Sequence, residues 1–136
     1  MKILLMSIIA YSLLSLNVYS KNVWEGVYTD AQAIKGKQSY LEYCSECHGS
    51  ELEGIAEAPS LRQGAFIYNW DGLPINILFQ RIRETMPMDD PRGVSRKLKA
   101  DILAYIMKEN NFPSGNIPLP YQNSRLKSIQ WNALSK

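Results

Sequence analysis

The sequence is poor in the side chains that usually bind metals and carry catalysis. It has one histidine and two cysteines in 136 residues. A zinc site built from four such ligands cannot be assembled from them, and carboxylates would have to complete it. No run of Lys or Arg occurs, basic and aromatic residues do not interleave, and the net charge is only +2. Nucleic acid is therefore not an expected partner. There is no internal repeat and no low-complexity segment. The apolar N-terminal run, residues 3–16, is shorter than the ~20 residues of a comfortable membrane span.

What is present is concentrated. Both thiols and the imidazole fall within five positions of E-Y-C-S-E-C-H-G-S: Cys44, Cys47 and His48. Three chemistries use cysteines at this spacing. A redox dithiol or disulfide does, usually at the start of a helix in a βαβ setting. A zinc site uses the pair as half of its ligands. Covalent haem attachment uses C-x-x-C-H, each thiol adding to a vinyl group and the histidine binding iron from below. Haem is the reading that uses all three residues. Cys44 and Cys47 lie about one helical turn apart, so both sulfurs reach one edge of a flat macrocycle, with His48 one step on. A disulfide across so short a loop would constrain little.

The N-terminus predicts export. Lys2 supplies a positive start, residues 3–16 an apolar stretch, and Val18 and Ser20 the small residues of a signal-peptidase site. The expected division is a signal peptide at 1–20, one small domain at 21–115 and a C-terminal arm at 116–136. An uncleaved N-terminal anchor is the alternative. A chain of this size buries a modest core, which a large apolar cofactor would extend.

Periodicity predicts helices and no strand. Thr29 reads as an N-cap with Gln32 as capping-box partner, for a helix over 30–43. Gly36, Tyr40 and Cys44 share one face of it. A mid-helix glycine costs up to about 1 kcal/mol relative to alanine, and close approach of another helix is the usual reason for one. Residues 49–72 read as loop. A second helix, about 74–85, places Ile75, Leu78, Phe79 and Ile82 on one stripe, with Arg81, Arg83 and Glu84 facing water. Ser95 caps a third, over 96–110, with Leu98, Ile102, Tyr105 and Ile106 on one side and a basic start of Arg96, Lys97 and Lys99. The fold class is all-α.

Haem iron takes a sixth ligand, and no second histidine exists. Met86, in M-P at the end of the second helix, is the expected one. Met88 and a five-coordinate iron are the alternatives, while Met107 falls mid-helix. Glu46, Glu51, Glu53 and Glu57 gather around and after the cysteine motif. They are either a docking rim for a basic partner or a solvated loop.

These residues together resemble a class I cytochrome c. The resemblance spans residues 29–111 through C-S-E-C-H at 44–48, Gly36 and Tyr40, A-P-S-L at 58–61, M-P at 86–87 and D-I-L-A-Y at 101–105. It implies a small fold of about three main helices around one covalently bound haem c, with long loops and the extended arm. It implies that Gly36 and Tyr40 pack against Ile102 and Tyr105. It further implies that the Pro59 carbonyl holds the His48 ring, that Leu61 packs on the haem face, and that Trp70 donates to a haem propionate or fills core. His48 and Met86 would ligate iron. The stretches V-W-E-G-V-Y-T and W-D-G…R-I-R-E-T-M-P also resemble small cytochromes that accompany periplasmic quinoprotein dehydrogenases. The implied activity is one-electron transfer in the periplasm, free or docked as a subunit. The expected partners are redox proteins: a dehydrogenase donor, and a terminal oxidase or other cytochrome as acceptor. A haem peroxidase or gas sensor is the competing class; it needs an open iron and usually a distal acid or base. The family ends soon after the last helix, and the 116–136 arm departs from it with no assigned role.

Overall fold

The structure, a computed structural model, describes residues 20–135. The expected leader thus lies outside the described residues, apart from Ser20. The chain folds as a mostly helical domain: α1 Asp30–Tyr43, α2 Ser45–His48, α3 Gly64–Trp70, α4 Ile75–Thr85, α5 Arg96–Glu109 and α6 Asn123–Leu126. A single 3-10 turn, Val23–Glu25, precedes α1. Three short strands, β1 Lys21–Asn22, β2 Leu73–Pro74 and β3 Ile129–Trp131, form one sheet in the order β1-β3-β2.

Helix α1 starts where its cap lies, the Thr29 hydroxyl accepting from Gln32 N at 3.2 Å. Such a cap contributes about 1 kcal/mol. The expected capping-box role of Gln32 is not realised. Its side chain instead donates to Asp101 Oδ1 and Leu119 O, both at 3.0 Å, and accepts from Leu119 N at 2.7 Å. One buried amide thus ties α1 to α5 and to the segment after it, satisfying its own polar atoms. A complete capping box occurs earlier, between Asn22 and Glu25.

The main packing is α1 on α5. Gly36 makes it possible: a Cβ there would lie 1.8 Å from Asp101 O and 3.0 Å from Ile102 N. The backbones touch, so any side chain would part them. One turn on, the Tyr40 and Tyr105 rings meet at 5.3 Å between centroids, within the range aromatic pairs favour.

Helix α5 differs from the single stripe expected. It begins at its cap, with Ser95 Oγ accepting from Leu98 N, but every residue from 99 to 107 is buried. It packs on α1 and on α4 and is the central element. Lys99 belongs to this buried stretch and not to a basic surface patch, whereas Arg96 and Lys97 are exposed.

Two further departures have physical reasons. Residues 49–72 are not all loop, because 64–70 form α3. Its N-cap, Gln63, has φ +50° and no side-chain cap bond, so the usual start signal is missing. The strands escape notice because two or three residues cannot show an alternation of period two. The arm supplies the central strand. Ile129 and Gln130 pair in parallel with Lys21 and Asn22, and Trp131 and Gln130 pair antiparallel with Leu73 and Pro74. Leu119, Leu126, Ile129 and Trp131 are buried, so the arm is part of the core. Trp131 packs edge-on against Phe112 and Phe66, with centroids 5.0 and 5.8 Å away, and Trp24 meets Phe112 at 4.9 Å.

Candidate haem site

Cys44 is where α1 ends and α2 begins. Its carbonyl accepts from Cys47 N at 3.3 Å and from His48 N at 2.9 Å, so one helical turn arranges all three residues of the motif. Cys44 is half-buried, Cys47 exposed and His48 buried. The two thiols are not joined to each other. Burial pushes the Cys44 thiol up to about 11, a shift the Lys99 ammonium opposes and Cys47 reinforces. Among the described residues no group of three or more His, Cys, Asp and Glu is placed to hold a metal ion, so the zinc reading has no ligand set.

The loop after the motif returns to it. Gly49 and Gly54 have φ of +81° and +80°, a conformation open to glycine at no steric cost. A Cβ at Gly54 would lie 2.6 Å from both Ala58 O and Ser60 N, so the chain folds tightly there. Gly54 N donates to His48 O at 2.7 Å, and Leu61 N to Leu52 O at 2.9 Å, with Leu52 fully buried beneath the loop. This brings Pro59 O to 2.8 Å from His48 Nδ1. A carbonyl can only accept, so Nδ1 carries the proton and Nε2 keeps the free lone pair. The ring is oriented and its tautomer set as for a metal-ligating histidine.

The other expected residues are spread over three elements. Leu61 and Trp70, with Ile67, Ile82 and Leu98, pack on the core while remaining partly open. Met86 caps α4, its N–H bonded to Ile82 O at 3.1 Å, and is half-buried. Met88 is 84% exposed and Met107 fully buried inside α5. Asn110, the C-cap of α5, holds the neighbourhood of Leu61. It accepts from Gln63 N at 2.8 Å and donates to Leu61 O at 3.0 Å. Only tertiary contact reveals that role. Glu46, Glu51, Glu53 and Glu57 are all exposed, and Arg62 lies among them, donating to Glu51 O.

Two free thiols one turn apart, an imidazole with its distal nitrogen free, and partly open apolar side chains fit a covalently attached haem. They define a haem protein of the C-x-x-C-H type. Residues 33–110 match the family model Cytochrome c. The chain belongs to the cytochrome c family and carries haem c, bound covalently, as a haem electron carrier. It matches no curated protein and no solved structure.

Proposed function

We propose that this chain is a class I cytochrome c with His48 and Met86 as axial ligands, passing single electrons between protein partners in the periplasm. The haem supplies an iron that alternates between ferrous and ferric states. The observation that carries the reading is the bond from His48 Nδ1 to Pro59 O at 2.8 Å. It leaves Nε2 available to a ligand and orients the ring. Cys44 and Cys47 would anchor the macrocycle, and Leu61, Ile67 and Trp70 would cover it, excluding water. Met86 is the favoured second donor because Met88 is solvent-exposed and Met107 belongs to the α5 core. Electron transfer asks only that one edge be reachable, and exposed Cys47 marks that edge. A peroxidase or sensor reading lacks a distal imidazole, since the chain's one histidine is His48.

Location and partners extend the proposal. Residues 1–20 would direct export with cleavage after Ser20. Among the described residues no helix is long and apolar enough to cross a membrane. A periplasmic dehydrogenase is the proposed donor, with the chain free or docked to it as a subunit, and an oxidase or second cytochrome the acceptor. The test is expression in a host with haem-attachment machinery. The exported protein should begin at Lys21, carry the mass of one haem that acid-acetone does not extract, and titrate with a single one-electron wave. A product of polypeptide mass alone would sink the reading.

A further inference from the structure

The chain from Met86 to Gly93 contributes no buried side chain. Packing therefore does little to hold it. Several of its hydrogen bonds are internal: Arg92 N and Gly93 N both donate to Asp90 Oδ1, and Gly93 N also to Asp90 O. A charge-lined cleft of about 690 Å³ lies alongside, bounded by Arg83, Asp90, Pro91 and Lys99. Yet this chain carries the sulfur that must stay on iron.

One buried cation reaches across. Lys99 is 1% exposed, and its Nζ donates to Arg83 O at 3.0 Å and to Pro91 O at 2.5 Å. The first bond answers a need written in the sequence. In α4 the Arg83 carbonyl would accept from the N–H four residues on, and residue 87 is proline, which has none. The M-P step thus orphans the carbonyl, and Lys99 supplies the missing donor. The second bond fastens the far end of the same segment. Among the described residues, Lys99 makes the side-chain hydrogen bond that joins Pro91 to another element. Its partners are carbonyl oxygens rather than a carboxylate, so the charge is spent on positioning backbone.

We infer that Lys99 is the positioning residue for the axial methionine: its ammonium clamps residues 83 and 91 to the central helix and so closes the base of the segment carrying Met86. The inference rests on Met86 being the sixth ligand. Lys99→Met keeps the side chain's length and leaves both carbonyls unpaired, a loss that costs more than the bonds themselves contribute. A loosened segment releases the sulfur more often, and an external ligand then enters faster.

The experiment measures imidazole binding to the ferric holoprotein at 25 °C, with the far-red sulfur-to-iron band recorded in parallel. Lys99→Met should bind imidazole about tenfold faster than the native protein or more, with unchanged helix content by circular dichroism. Lys99→Arg, which retains several donors, should restore most of the native rate. A purely structural lysine would lower the melting temperature and leave the imidazole rate at 25 °C unmoved, and that result overturns the clamp. Should Lys99→Met fail to accumulate, Lys99→Gln keeps one of the two donations, and an intermediate rate is expected; a native rate overturns the inference. Met86→Ala run alongside separates the two ideas. Survival of the band in Met86→Ala overturns the ligand assignment itself, whereas its loss there with native imidazole rates in Lys99→Met overturns the clamp alone.

Discussion

A Cβ built on Gly36 would sit 1.8 Å from the carbonyl oxygen of Asp101. Backbone faces backbone there, and neither side can yield by turning a rotamer. The same crossing aligns Tyr40 with Tyr105 and delivers Cys44 one turn later, so helix packing and haem attachment share one geometric origin. Gly36→Ala should part the helices despite its better helix propensity. The expected loss exceeds the usual overpacking cost of about 1–3 kcal/mol. Guanidinium unfolding of the holoprotein checks it, and a loss below about 1 kcal/mol would show that the crossing relaxes easily.

Met86 and Met88 are two residues apart and differ in exposure, half-buried against 84% exposed. Met86→Ala should abolish the far-red band of the ferric protein, lower the reduction potential and open the iron to added ligand. Met88→Ala should leave band and potential within error of the native values. The reverse pattern would move the ligand to Met88.

The Tyr28 hydroxyl donates to Phe112 O at 2.6 Å. Burial pushes its pKa from 10.0 up to about 12, with Asp30 and Glu109 adding to the rise. A raised folded-state pKa means that the native state binds more protons between pH 10 and 12 than the unfolded state. Stability from this group is therefore complete below pH 10 and lost as pH climbs through 12. Tyr28→Phe removes the donor and leaves a buried carbonyl, costing about 1–2 kcal/mol at neutral pH. It should also flatten the alkaline fall in stability between pH 10 and 12. Denaturant midpoints taken across that range decide the matter, and an alkaline limb as steep as the native one counts against the assignment.

The exposed glutamates next to the cysteine motif carry the proposal about docking. Glu53 already accepts from Glu51 N at 2.8 Å, which holds two of the four acids together. Glu51→Lys with Glu53→Lys should slow reduction by a basic donor about tenfold at low ionic strength and little at high salt. Stopped-flow rates at two salt concentrations read this directly. Equal rates at low salt would make these acids a solvated loop and leave the carrier function intact.

Residues a turn apart made part of this molecule legible in its sequence. The C-x-x-C-H spacing, the caps at Thr29 and Ser95, the apolar stripe of α4 and the mid-helix glycine all act within about four residues, a range that sequence periodicity samples. The family resemblance added the pairing of His48 with Pro59, which no local rule supplies. The remainder depended on elements far apart in the chain. Gln32 looks like a capping-box partner until Leu119 and Asp101 come within reach, and its amide then finds better-buried partners. Trp131, with Ile129, reads in the sequence as a staple for the proline-containing arm, but its partners Phe66 and Phe112 lie far off in the chain and only the fold names them. Lys99 reads as one of three bases at a helix start, yet the fold buries it, and there it donates to the Arg83 carbonyl, which Pro87, twelve residues before it in sequence, leaves without an N–H partner.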